Sequence, residues 1–166
     1  MRFRRATVMD LESIWRIFST AIRRLGEAGI DQWQHGYPNR DVIREDIHRG
    51  RGWVIEEHDH LVAYGAVIVD GEPAYEQIEE GRWLSESADY LVVHRLCVDE
   101  GVLGMGYGLR FMEEVEEQMR DRFGSFRVDT HPDNHIMHCF LSRLGFTRCG
   151  LITIDGDRFE AFEKPL

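Results

Sequence analysis

The stretch that most constrains this chain runs from Tyr90 to Gly108, YLVVHRLCVDEGVLGMGYG. Tyr90–Val98 is an apolar, β-branched run that reads as a buried strand. It turns through residues 99–103 into Gly104-Met-Gly106-Tyr-Gly108, and the helical pattern Leu109-Arg-Phe-Met-Glu-Glu-Val follows at once. Strand, glycine-rich loop and helix start, in that order, make an anion site. Unpaired N–H groups at a helix N-terminus point outward, the helix dipole adds partial positive charge, and glycines let a phosphate approach the chain. A Walker loop ends in Gly-Lys-Ser/Thr, whereas Gly108 is followed by Leu109-Arg110. A dinucleotide fingerprint is G-x-G-x-x-G in a tight turn, and here the spacing is G-x-G-x-G after a five-residue excursion.

The 166 residues fit one domain, 1–166, of ordinary size, and 43% hydrophobic with 11% aromatic content is a globular composition. No apolar run approaches the roughly 20 residues that span a bilayer, and no apolar signal core follows the basic start Arg2, Arg4, Arg5. Cys97, Cys139 and Cys149 form neither a disulfide framework nor a C-x-x-C pair, which points to a reducing cytoplasm. The net charge of −10 argues against nucleic-acid binding and suits a cationic amine. A polyanionic ligand would have to be held by local amide dipoles against that field.

Residues 1–8 read as a first strand, and Thr7-x-x-Asp10 offers a capping box for a helix whose buried stripe is Leu11, Ile14, Phe18, Ile22 and Leu25. The polar, aromatic loop Asp31–Asn39 follows, with Asn39 capping a short helix (Val42, Ile43, Ile47). Trp53–Glu57 and Leu61–Asp70 are strands joined at His58-Asp-His60, whose polarity is that of a turn. Gly71–Asp89 reads as an insertion with a short helix, too polar to be core. Downstream, Phe111, Met112, Val115 and Met119 mark a helix face, and Ser125–Thr130 a strand. A helix starts at Pro132 or Asp133 with Ile136, Cys139, Phe140 and Leu144 inward. A hairpin through Asp155-Gly156 closes the chain.

His94-Arg-Leu-Cys-Val98, the five-residue spacer and the x-Gly-x-Gly-x-Gly loop resemble the first coenzyme motif of the GNAT superfamily of N-acetyltransferases. Asp129-Thr-His-Pro-Asp-Asn134, leading to Leu144-Gly-Phe146, is similar to its second acetyl-CoA motif, and Arg4–Asp10 to its opening. Asp31-Gln-Trp33, Gly36-Tyr-Pro-Asn39 and the DTHPDN segment resemble a bacterial subgroup. The resemblance covers essentially the whole chain. It implies an α/β (α+β) single domain with a central mixed, mostly antiparallel sheet flanked by helices, and a cytoplasmic acetyltransferase in which dimers are common.

That resemblance implies acetyl-CoA as cosubstrate. Leu96, Cys97 and Val98 would pair with the pantetheine arm and polarise the thioester, Gly104, Met105, Gly106, Tyr107, Gly108 and Leu109 would cradle the pyrophosphate, and Asn134 would contact the coenzyme near sulfur. The acceptor is expected to be the amine of a small molecule or amino-acid-like compound, with Trp33, Tyr37 and Trp83 walling its pocket. An amine with a pKa of about 10.4 needs a base at neutral pH. His94, expected on the same strand face as Leu96, is the candidate, with Glu72, Glu79 and Glu80 as alternatives through water. The chain departs from the family pattern in three places. Leu103 and Met105 stand where basic or amide side chains are usual, and Leu141 where the family carries a Tyr general acid. The missing Tyr keeps open a non-catalytic acyl-CoA sensor. His131, His135 and His138, at helical spacing but broken by Pro132, keep open a metal protein; no metal is expected.

Overall fold

The computed structural model describes all 166 residues. The strands are β1 (Arg2–Arg5), β2 (Gly52–Glu57), β3 (His60–Ile68), β4 (Tyr90–Val98), β5 (Ser125–Thr130), β6 (Thr147–Ile154) and β7 (Asp157–Pro165). The helices are α1 (Leu11–Glu27), α2 (Arg40–His48), α3 (Tyr107–Met119) and α4 (His135–Arg143). The seven strands form one open sheet in the order β1-β2-β3-β4-β5-β7-β6, mostly antiparallel with a parallel β4–β5 pair, so the class is α/β as the sequence implies. Contacts divide the chain into two units, Met1–Val67 with Arg95–Val115, and Ile68–His94 with Glu116–Leu166.

In the first unit, β1, β2 and β3 form an antiparallel meander. His58 and Asp59 both take positive φ (48° and 61°) in its second turn, the twist that a two-residue hairpin demands. Helix α1 is anchored from its first turn. The Asp10 carboxylate accepts the Thr7 N–H at 2.7 Å and is gripped by Arg4 at 2.8 and 2.9 Å. Leu11, Ile14, Ile17 and Phe18 form its buried stripe and pack with Ile43, Val54, Tyr64 and Cys97. Asn39 Oδ1 accepts the Asp41 and Val42 N–H groups, both at 3.1 Å, which starts α2 as expected. Gly65 of β3 lies under Phe111 of α3, where a Cβ would fall 2.6 Å from the ring.

In the second unit, all of β5 pairs antiparallel with Glu160–Pro165 of β7, and β7 turns back from β6 through Asp155-Gly156 (φ 52° and 90°). Gly71–Asp89 corrects the sequence reading. It holds a single 3₁₀ turn, Pro73–Glu76, and contributes to the core, because its polar residues flank two large aromatics. Tyr75 is fully buried with Val92, Ile152 and Ala161, and Trp83 packs on it at 5.2 Å. The end of this strap lies along β6: Glu79 and Leu151 exchange backbone hydrogen bonds at 2.8 Å and the Arg82 N–H reaches the Cys149 carbonyl at 3.0 Å. Arg127 ties strap to sheet. Its guanidinium sits 4.3 Å from the Trp83 ring and 4.1 Å from the Tyr90 ring, and pairs at 3.0 Å with Glu163. Glu163 is also bonded by Ser125 and by the Leu84 and Ser85 amides, so this buried carboxylate is fully compensated.

Helix α4 also differs from expectation. It starts at His135 because Asn134 Oδ1 accepts the Met137 N–H at 3.1 Å, making Asn134 its N-cap. The inward residue is Leu141, whereas Ile136 is 81% exposed and Cys139 is exposed. Ile136 stands five residues before Leu141, which at about 100° per residue turns it some 140° away from the buried direction.

Candidate active site

Strand β4 changes character along its length. Its parallel register with β5 joins Tyr90 to Ser125, Leu91 to Phe126 and Val92 to Arg127. Within the strand Arg95 takes φ 58°, a left-handed conformation that costs a non-glycine residue roughly 1–2 kcal/mol. Strict alternation therefore does not run from His94 to Leu96, and the shared strand face expected of them does not hold as a simple periodicity.

His94 is held between two carboxylates. Its Nε2 lies 2.8 Å from Glu72 Oε2 and its Nδ1 3.3 Å from Asp129 Oδ2. The Tyr75 hydroxyl donates to the same Asp129 oxygen at 2.7 Å, and the Tyr75 ring meets the imidazole edge-on at 6.0 Å. Burial first, and then the Asp129 charge, raise the Tyr75 phenol well above its ordinary range, so it remains a donor. Glu72 is the more open end of this chain at 21% side-chain exposure, against 13% for His94 and 10% for Asp129. Glu72 Oε1 also accepts the Ala74 N–H, which orients the carboxylate at the start of the 3₁₀ turn. The arrangement places a partly exposed carboxylate, an imidazole and a buried, oriented carboxylate in succession. Of these residues the sequence offers His94 as the candidate and Glu72, with Glu79 and Glu80, as alternatives; it does not single out Asp129 or Tyr75 as partners. The Asp129 signal lies in the register, because two steps beyond the Val92–Arg127 pair fall His94 and Asp129.

The glycine loop has the geometry of an anion cradle. Asp99 caps the turn Glu100–Val102 by accepting the Gly101 N–H at 2.9 Å. Gly104 and Gly106 take φ 77° and 89° with open space where a Cβ would stand. The first closed turn of α3 is the bond from the Arg110 N–H to the Gly106 carbonyl at 2.9 Å, so the amides of Tyr107, Gly108 and Leu109 precede the helical ladder as donors. This backbone fits a phosphate. The side chains around it are apolar: Leu103, Leu109 and, at 67% exposure, Met105 face outward. Of the strand residues expected beside the coenzyme, Leu96 and Val98 are half-buried. Cys97 belongs to the first unit's core, and burial pushes its thiol far up.

The other expected residues are placed as follows. Trp33 packs on Phe18 at 5.5 Å, against the core. Tyr37 is 47% exposed and receives a hydrogen bond from Arg95. Trp83 and His94 both contact Tyr75, and the Trp83 indole N–H donates to the Tyr75 carbonyl at 2.9 Å. Asn134 caps α4. Glu79 and Glu80 face Arg158, at 3.6 and 2.7 Å. Leu141 is fully buried, so the position of the family's usual acid is a core position here. Among the three histidines, the His131 ring accepts the Asp133 N–H at 3.2 Å, the His138 ring bonds the His131 carbonyl at 3.2 Å, and the His135 and His138 rings meet edge-on at 5.5 Å. No group of three or more His, Cys, Asp or Glu side chains is arranged to hold a metal ion. No helix is long and apolar enough to cross a membrane.

The acetyltransferase (GNAT) family matches residues 11–146. An acetyltransferase of the GNAT family from Streptococcus agalactiae shares 34% identity, covering 99% of this chain and 95% of that one, with a TM-score of 0.93. A GNAT-family acetyltransferase from Listeria monocytogenes (21% identity, 99% and 94% covered, TM-score 0.73) has the same fold. So does a ribosomal-protein-alanine N-acetyltransferase from Brucella melitensis (17%, 100% of both chains, TM-score 0.71). Among curated proteins none matches the sequence. With the family matched over most of its length and a 34% identical relative alike from end to end, this chain belongs to the acetyltransferase (GNAT) family.

Proposed function

We propose that the protein is an acetyl-CoA-dependent N-acetyltransferase acting on the amine of a small-molecule or amino-acid-like acceptor, with His94 as general base. The observation that carries the base assignment is the imidazole held at 2.8 Å from Glu72 and 3.3 Å from Asp129. An amine acceptor arrives largely as its ammonium form and must lose a proton before its nitrogen is nucleophilic. Glu72, the open end, attracts the cation, and its 2.8 Å contact with His94 Nε2 gives a proton taken from the amine a route to the imidazole. The proton leaving the amine is taken up by this pair, while Nδ1–H faces Asp129 and Tyr75 holds Asp129 in place. Acetyl-CoA, when bound, supplies an activated acyl group on a thiolate leaving group. The amides of Gly104–Leu109 would hold its phosphates and the backbone of Leu96, Cys97 and Val98 its pantetheine arm.

The core position of Leu141 favours departure of sulfur as thiolate, and it also supports the second reading, an acyl-CoA sensor of the same fold. Calorimetric titration with acetyl-CoA, run beside a thiol-release assay over amines, polyamines and amino acids, decides between them. Binding with turnover is expected. Binding without turnover on the panel favours the sensor, and no binding overturns both.

A further inference from the structure

We infer that Arg95 is a positioning residue that ties the middle of the loop Asp31–Asn39, through Tyr37, to the strand that carries His94. The inference rests on the acetyl-transfer reading for its functional half. Its structural half stands on the first unit alone. Arg95 Nε and Nη2 donate to Asp46 Oδ2 and Oδ1 at 2.9 and 2.6 Å, and Tyr64 donates to Asp46 Oδ2 at 2.8 Å. Asp46 is 4% exposed and Tyr64 fully buried, so this α2 carboxylate is paired and satisfied from two elements, β4 and β3. From this fixed base the guanidinium extends Nη1 to the Tyr37 hydroxyl at 2.5 Å and lies 6.0 Å from the Tyr37 ring centre.

Two features set this apart from a routine ion pair. Arg95 holds φ 58°, a region that non-glycine residues enter rarely and keep only where surrounding contacts fix them. The planar fork also engages a carboxylate and a phenol at once, which a lysine ammonium cannot reproduce. The loop is anchored elsewhere too: Trp33 packs on Phe18, Gln34 Nε2 donates to the Ile22 carbonyl at 2.9 Å, and Asn39 caps α2. Tyr37 lies between those anchors, half-exposed, and its partner is the residue bonded directly to His94. Loop position is thereby referenced to β4, and the acceptor contact that the acetyl-transfer reading expects of Tyr37 would depend on this tie.

Tyr37→Phe removes the hydroxyl and leaves the buried Arg95–Asp46 pair intact; Arg95→Lys keeps the charge and removes the fork. Hydrogen exchange of the full-length protein should show amides of residues 31–39 opening roughly tenfold or more faster in Tyr37→Phe, the fold-change of one charge-assisted hydrogen bond, with α1 and β2 unchanged. Unchanged exchange in residues 31–39 overturns the tie. On any amine that the wild type acetylates, the acceptor KM should rise about tenfold while kcat and the acetyl-CoA KM hold. Loosened exchange with an unchanged acceptor KM overturns the positioning role and leaves only a structural one. If the wild type acetylates no amine, the acetyl-transfer reading has failed, and exchange alone decides the tie.

Discussion

Gly81→Ala is the substitution whose cost follows most directly from the coordinates. A Cβ on residue 81 would stand 1.8 Å from the Cys149 carbonyl oxygen, 2.9 Å from its carbon and 3.1 Å from Gly150 Cα, all of them backbone. Even a close carbon–oxygen contact needs about 3.3 Å, so strap and β6 must part by roughly 1.5 Å. The bonds at stake are the two between Glu79 and Leu151 and the one from Arg82 to Cys149. At about 0.5–1.5 kcal/mol each, losing them costs some 1.5–4.5 kcal/mol. The Gly→Ala change returns about 0.4–1 kcal/mol by restricting the unfolded chain. A net loss of about 0.5–4 kcal/mol remains, which for a chain of this size lowers Tm by roughly 1–16 °C. Calorimetric melting of the purified variant reads this directly. A Tm equal to or above wild type would refute the reasoning, since it would mean that strap and β6 do not approach as described. Because the same strap carries Glu72 and Tyr75, turnover should fall in parallel with stability.

Further outcomes are expected. His94→Ala should lower kcat by about 10²–10⁴ with acetyl-CoA affinity unchanged by calorimetry, and Glu72→Gln should lower kcat and alter its pH profile; unchanged turnover across pH would remove His94 as base. Thr130→Val should raise stability by about 1 kcal/mol in urea melts, because the buried Thr130 hydroxyl has no hydrogen-bond partner and valine keeps its shape. The Arg4 guanidinium holds the Asp10 carboxyl down at about 2, so its stabilisation is present above the usual carboxylate range and is lost as pH falls from about 4 towards 2. Asp10→Asn should therefore lower Tm at pH 6 and flatten its fall over that window, and an unchanged slope would count against the pairing.

Legibility followed locality. The start of the α1 stripe (Leu11, Ile14, Phe18), the Asn39 cap, the hairpin at Asp155-Gly156 and the glycine loop are specified by residues within a few positions of one another and stand where the sequence puts them, although Ile17 joins the stripe and Ile22 and Leu25 are only half-buried. What escaped depends on contacts between distant segments. Tyr75 looked like part of a polar insertion because its burial comes from residues as remote as Ile152 and Ala161. Asp129 became a partner of His94 only through the parallel β4–β5 register. The phase of α4 is not legible because Ile136, Cys139, Phe140 and Leu144 make a plausible stripe, while packing selects Leu141. Nothing in an arginine's chemistry announces a left-handed backbone, so the role of Arg95 was invisible until its partners were assembled.

The different burial of the cysteines simplifies spectroscopy. Cys97 and Cys149 are enclosed, and burial raises both thiols, that of Cys149 to about 11, which keeps them out of reach of maleimides near neutrality. Cys139 is exposed on α4. A maleimide fluorophore should therefore attach at one defined point per native chain without engineering, giving an optical reporter three residues from the Ile136 side chain that packing leaves outside.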